Sequence, residues 1–322
     1  MYDIIPDIHG QAEKLKGTLT RLGYTKRNGA WRQSDPGRTC IFLGDFIDRG
    51  PNNAEVIDIV RRMVDAGTAQ AIMGNHELNA IHFHTLHPEN GEPLRPHSPK
   101  NLRQHASFLA EYPLGAAATA DVLSWMRSLP LFLELEDFRV VHACWNESTI
   151  DRLGSQTKGG VLTGDQLIKA ADVHDDLFAL VETTTKGPET LLPEGYSITD
   201  KDGTVRHEVR VKWWNSEPAS WADIAISVPD LTQLPATPLS DHLTVDAYPA
   251  EAKPVFFGHY WLHGTPTLQS GNALCLDYSA GKDGPLVAYR VEEPGQPLDI
   301  RHLVTADGTR DREGDANRKP RD

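Results

Sequence analysis

Within the first 77 residues, three short apolar runs each end on a cluster of side chains able to bind a metal ion. Tyr2-Asp3-Ile4-Ile5 leads into Asp7-Ile8-His9-Gly10. Cys40-Ile41-Phe42-Leu43 leads into Gly44-Asp45-Phe46-Ile47-Asp48-Arg49-Gly50-Pro51, and Ala69 to Met73 into Gly74-Asn75-His76-Glu77. Between them, residues 11–23 (Leu15, Leu19, Leu22) and 53–66 (Val56, Ile57, Val60, Met63, Val64) repeat apolar positions at helical period and stop at Gly23 and Gly67. Strand, helix, strand, helix, strand predicts a βαβαβ unit, hence parallel pairing. All three clusters then fall beyond the carboxyl ends of neighbouring strands, where ligands bind in open α/β sheets.

The remaining pattern is thinner. Turn formers fill residues 24–38, with a hairpin expected around Asn28-Gly29. Residues 100–112, 121–128 and 165–183 carry helical spacing. Leu131–Leu135 and Phe138–His142 read as a hairpin turning at Glu136-Asp137. Residues 150–250 are rich in turn formers and give little periodic signal. Strand type returns at Pro254-Val255-Phe256-Phe257, ending in Gly258-His259, and again at Ala273–Leu276 and Leu286–Val291. The segment from 305 onward is charged and without apolar spacing, so it is expected to be a disordered tail. Candidate ligands spread from residue 7 to residue 259 imply one domain over 1–304, with a family-specific insertion at about 150–250.

A formal net charge of −13 sets a field that repels polyanions and argues against broad nucleic-acid binding. Bound dications reverse that sign locally, so a small anionic substrate fits. Cys40, Cys144 and Cys275 make no CxxC pattern. No basic and apolar leader precedes the first strand, and no run of about 18 apolar residues occurs. The expectation is a cytoplasmic protein that does not enter a membrane; its oligomeric state is not legible.

A pair of hard dications calls for carboxylate, amide oxygen and imidazole, with one carboxylate shared. Asp7 and His9, two apart at a strand end, can leave on one face. Asp45 ends the neighbouring strand and suits the bridge, Asn75 supplies an amide oxygen, and the strand-end His142 and His259 can complete the second ion. A two-ion site of this kind hydrolyses phosphate esters. The order DxHG, GDxxDRG, GNHE, strand-end His, then GH resembles the calcineurin-like metallophosphoesterase superfamily. Its DRG and GNHE forms are similar to the phosphoprotein-phosphatase branch, which also holds bacterial diadenosine tetraphosphatases.

The resemblance implies an α/β fold, a four-layer α/β/β/α sandwich of two mixed sheets flanked by helices. It implies one ion on Asp7, His9 and Asp45 and a second on Asp45, Asn75, His142 and His259, most readily Mn²⁺, with Fe²⁺, Co²⁺, Ni²⁺ or Zn²⁺ as alternatives. A bridging hydroxide would attack phosphorus, His76 would protonate the leaving oxygen, Asp48 would pair with His76, and Arg49 would clamp the phosphate. Trp261 occupies the place of a second histidine after GH in many members, which again matches the phosphatase branch. The ending Leu276-Asp277-Tyr278-Ser279-Ala280-Gly281, followed by Gly284-Pro285-Leu286, is similar to the bacterial diadenosine-tetraphosphatase form. The partner is then a small phosphorylated substrate, diadenosine polyphosphate or another nucleotide, or alternatively a phosphoprotein. A catalytically inactive binding platform is the competing class, and its signature would be lost ligands. Several neighbours are expected to be bystanders: Cys144 as packing, Lys212 as an exposed lysine, Glu77 as a helix cap or a near-site hydrogen-bonding group. The histidines at 82, 84, 87, 97 and 105 are expected to be solvated or to sit behind the site.

Overall fold

The computed structural model describes residues 1–199, 203–239 and 246–306. The three early runs form the strands Tyr2–Ile5, Thr39–Phe42 and Ala69–Ala71, paired in parallel in that order. Val287–Val291 joins Tyr2–Ile5 antiparallel on the other side, and Leu303–Thr305 completes a five-stranded mixed sheet. A second mixed sheet runs Ala273–Cys275, Val255–Phe257, Arg139–Val141, Phe132–Glu134, the last two forming the expected hairpin.

Both sheets are covered on both faces, which explains why their strands read as unbroken apolar runs. Side chains alternate between layers along each strand. Ile4, Ile41, Val140, Phe256 and Leu274 meet in the layer between the sheets. Ile5, Cys40 and Phe42 face the other way, onto Leu15 and Leu19 of the helix Ala12–Arg21 and Val56, Val60 and Met63 of the helix Asn53–Asp65. On the outer face of the second sheet, Val141, Val255, Phe257 and Cys275 pack under Ile150, Trp213, Trp214 and Tyr248. The result is the expected four-layer α/β/β/α sandwich, its fourth layer part helix (Glu147–Gln156) and part aromatic loop.

The hairpin at 24–38 forms as expected between Thr25–Arg27 and Ala30–Arg32, with Asn28 (φ 51°) and Gly29 (φ 80°) taking the left-handed turn positions. The helix expected at 100–112 is two short helices, Pro99–Gln104 and Ala106–Glu111, joined at His105. The helical signal at 165–183 likewise divides into Gly164–Lys169 and Asp176–Lys186. Within 150–250 lies a small three-stranded antiparallel sheet, Ala225–Ile226, Glu208–Val211 and Glu189–Leu191, over its own apolar cluster that includes Val209, Trp221 and Ile224. Thr305 is buried in the edge strand, so order extends one residue past the expected start of the tail; residues 307–322 lie outside the described residues. Among the described residues no helix is long and apolar enough to cross a membrane.

Candidate metal centre

The carboxyl ends of the strands of both sheets converge on one floor. Asp7, His9 and His142 are fully buried beneath it, whereas Asp45, Asp48, Arg49, Asn75, His76 and His259 line a cleft of ≈ 770 Å³. The chain turns sharply at these positions. Among the described residues the non-glycine positions with positive φ include His9, Asp45, Asp48, Arg49, His259 and Trp261. Such conformations persist where the surroundings over-determine them, and they concentrate at functional sites. Two motif glycines allow the close packing: a Cβ on Gly74 or on Gly258 would land on the carboxylate of Asp45 or Asp7, respectively.

The hydrogen bonds behind the imidazoles decide what their free nitrogens can do. His142 Nδ1 donates to the Leu43 carbonyl at 2.7 Å, and His9 Nδ1 to the Ile47 carbonyl at 3.0 Å. In the neutral ring the remaining Nε2 is then a lone pair. His142 Nε2 lies 3.2 Å from Asn75 Oδ1 and 3.4 Å from Asp45 Oδ2, so acceptors face acceptors. His9 Nε2 points at Asp45 Oδ2 over 3.7 Å and, although buried, has no hydrogen-bond partner. His259 Nδ1 lies 2.9 Å from the same Asn75 oxygen. Two groups of ligand atoms, one from His9, Asp45 and His76 and one from Asp45, His142 and His259, each fall within 4.8 Å of one another and share Asp45. Asp7 is outside these groups; its carboxylate accepts the His259 backbone N–H at 3.0 and 3.2 Å.

The electrostatics have the same logic. Burial lowers His9 to about 3 and holds His259 well below its ordinary value, which favours the neutral imidazole that a metal ion would require. Burial, reinforced by the charges of Asp277 and Asp45, raises Asp7 well above the usual carboxylate range. Burial would also raise Asp45, yet the imidazoles of His142, His76 and His9 hold it well below. His142 answers in kind: burial lowers it, but Asp45 and Asp7 outweigh that and lift it to about 10. The buried carboxylates of Asp45 and Asp7 thus favour positive charge at this floor. Divalent cations would supply that charge and use the same lone pairs, so this donor set fits them.

Around the floor, His76 Nδ1 meets Asp48 Oδ2 at 2.6 Å, and its backbone N–H donates to Asp45 Oδ1 at 2.9 Å. Arg49 places its guanidinium carbon 4.1 Å from the centre of the Trp261 ring, which in turn stacks on His9 with centroids 5.2 Å apart. Glu77 both caps its helix and ties the loops together, accepting N–H groups from Asp45 and Phe46 at 2.8 Å each and from Gly74 at 3.0 Å. Burial and the Asp45 charge push Glu77 up to about 7.

Two residues contribute beyond the roles that their sequence positions suggest. Asp277 is buried and accepts the N–H groups of Trp261 (2.7 Å) and Ser279 (2.9 Å), fixing the turn after His259. His105 is buried against Asp48. Asp277 lies in the quoted Leu276–Gly281 motif, and His105, expected to be solvated or to sit behind the site, takes the second place; no spacing in the sequence names Asp48 as its partner. Lys212 does not line the cleft; its ammonium donates to the Ala222 carbonyl at 2.9 Å. Cys144 is buried packing, its thiol raised by desolvation.

The family model for calcineurin-like phosphoesterases matches residues 2–169. The chain belongs to this family. Among curated relatives it is 32% identical over 165 residues to the bis(5'-nucleosyl)-tetraphosphatase PrpE [asymmetrical] of Oceanobacillus iheyensis, covering 51% of this chain and 64% of that one. It is 29% identical over 140 residues to the symmetrical bis(5'-nucleosyl)-tetraphosphatase of Vibrio cholerae, covering 44% of this chain and 43% of that one. The chain therefore spans less than two thirds of the length of these relatives. A solved neighbour, the cold-active protein-tyrosine phosphatase of a psychrophilic Shewanella, superposes with a TM-score of 0.51 at 18% identity over 96% of this chain and 78% of that one, a likeness of fold. Divalent-metal dependence goes with the family, and the His and Asp groups are present for it.

Proposed function

We propose that this protein is a divalent-metal phosphoesterase that hydrolyses a small nucleotide polyphosphate. The observation that carries the reading is the meeting of two ligand groups on Asp45 at the floor of a ligand-sized cleft. Asp7, His9 and Asp45 hold one ion in this reading; Asp45, Asn75, His142 and His259 hold the other. Mn²⁺ is the proposed metal, with Fe²⁺, Co²⁺, Ni²⁺ and Zn²⁺ compatible with the same nitrogen and oxygen donors. When bound, such ions supply an activated water and positive charge for the phosphoryl oxygens. The chain's own residues do the rest. Arg49, set by its stack on Trp261, presents a planar fork to two phosphate oxygens. His76 gives its Nε2 proton to the leaving oxygen, with Asp48 holding Nδ1–H at the far side of the ring.

The choice of a nucleotide polyphosphate rests on the cleft wall. In a chain of net charge −13, the lining nevertheless sets six cations, Arg49, Arg95, Lys100, Lys186, Arg206 and Arg210, against four carboxylates, Asp45, Asp48, Glu189 and Glu208. Cations concentrated there favour a ligand with more negative charge than one phosphate carries. The names of the tetraphosphatase relatives point the same way. Lys186, Arg206 and Arg210 come from the insertion at about 150–250 of a proposed single domain over residues 1–304, and Arg49, Arg95 and Lys100 from outside it. Buried, unpaired Cys40, Cys144 and Cys275 accord with a reducing compartment, and the cytoplasm is the proposed location. Purified protein supplied with Mn²⁺ is expected to hydrolyse a dinucleoside polyphosphate with kcat/KM at least about tenfold above that for phosphopeptides, with products separated by chromatography. The reverse preference would make a phosphoprotein the substrate, and no hydrolysis of either would restore the inactive-platform reading.

A further inference from the structure

The carboxylate behind His76 has a second imidazole on its other oxygen. Asp48 Oδ2 takes His76 Nδ1 at 2.6 Å, and Asp48 Oδ1 takes His105 Nδ1 at 2.8 Å. His105 Nε2 lies 3.4 Å from His84 Nε2 on a half-buried ring. The four groups make a continuous chain: Asp48 accepts from His105 Nδ1–H and from His76 Nδ1–H, and the far nitrogen of His105 faces His84 Nε2. The ring of His105 is itself held, stacked on Phe108 with centroids 4.7 Å apart and tilted against Phe83 at 5.1 Å. Its backbone is fixed at the junction of Pro99–Gln104 and Ala106–Glu111. From the main chain, Asp48 is anchored by its own N–H donating to Asn53 Oδ1 at 2.7 Å.

We propose that His105 is a positioning residue for the leaving-group acid: it locks the Asp48 carboxylate in the rotamer that aims Oδ2 along His76 Nδ1–H. A carboxylate with one oxygen unheld turns about its terminal torsion, which is broad and nearly two-fold. With Oδ1 pinned by a buried donor, only one orientation keeps both hydrogen bonds. Asp48 also sits at φ 68°, so its side chain leaves the backbone along a direction that side-chain contacts must secure. The inference rests on His76 being the acid, and the test separates the two.

Four variants decide it on two substrates, an unactivated alkyl phosphate that needs the acid and p-nitrophenyl phosphate that scarcely does. His105→Phe keeps the aromatic stack on Phe108 and removes the donor; His105→Asn puts an amide N–H near the position of Nδ1. His105→Phe is expected to lower kcat on the alkyl phosphate by about tenfold or more and on the nitrophenyl ester by less than about threefold, with KM little changed. His105→Asn is expected to recover most of the alkyl-phosphate rate. In a His76→Asn background, His105→Phe is expected to cost nothing further. Equal losses on both substrates, or equal losses for the Phe and Asn variants, would overturn the role of His105. If His76→Asn itself loses equally on both substrates, the acid assignment fails and the positioning role falls with it.

Discussion

Asp45 is asked to do several things within one carboxylate, and its neighbours show how it manages. Oδ1 accepts the His76 N–H at 2.9 Å, while Oδ2 faces His9, His142 and His76 at 3.7, 3.4 and 4.0 Å. One oxygen is spent on holding the loop, and the other is presented to three imidazoles of the floor. Motif spelling discloses the carboxylate but not this division, because the division depends on a left-handed turn at Asp45 (φ 52°) and on Gly74 lying against it. Two histidines away from the floor, His82 and His84, respond to pH through burial. His82 is buried and lowered by desolvation to about 4; His84 is lowered to about 4 by burial and by the charges of His105 and His97. A base with a depressed folded value binds its proton first in the unfolded chain. The stability it contributes is complete above about pH 6.5 and is lost as pH falls toward 4. For His82 alone this amounts to at most about 3 kcal/mol. Urea midpoints measured from pH 7 to pH 4 are expected to fall, and His82→Gln is expected to flatten that decline.

At the scale of elements, the site depends on loops being held against strand ends by groups far away in sequence. Lys14, on the helix Ala12–Arg21, donates to three carbonyls of one loop: Ala280 and Lys282 at 2.7 Å and Gly284 at 2.8 Å. That loop brings Gly281 against the His9 ring so closely that a Cβ there would sit 2.8–3.0 Å from its atoms. Charge-assisted hydrogen bonds of this type contribute roughly 1.5–3 kcal/mol each, less where water competes. Lys14→Met is therefore expected to lower stability by about 2 kcal/mol in a denaturant titration, and to weaken binding at the floor by loosening His9. The early strands and helices were legible because two-sided burial writes an apolar run and one-sided burial writes a helical stripe. The strands at 189–226 are two to four residues long, and their cluster is assembled by tertiary packing across the insertion, so no periodic signal precedes them. The break at His105 was illegible for a related reason: the residue is buried by its contact with Asp48, which lies 57 positions away.

At the scale of the whole molecule, two mixed sheets are stacked so that the carboxyl ends of strands from both reach one floor. The segments after the first sheet's strands carry His9, Asp45 and His76, and those after the second sheet's strands carry His142 and His259. Neither sheet alone carries both ligand groups, so the inter-sheet layer of Ile4, Val140 and Phe256 sets the distance between them. The sign of the molecule's field also varies with place, a strongly negative chain around a cleft whose lining holds more cations than carboxylates. The layered architecture was legible through family resemblance. The charged wall was not, because it is contributed by residues scattered from 49 to 210. The most direct test of the two-ion account is the metal content of protein stripped by chelation, reloaded with Mn²⁺ and freed of excess, read alongside hydrolysis of the same sample. Two ions per chain with restored activity are expected for the native protein, and no more than one ion with activity abolished for Asp45→Asn. Full hydrolysis by the stripped protein, or by Asp45→Asn, would contradict the account.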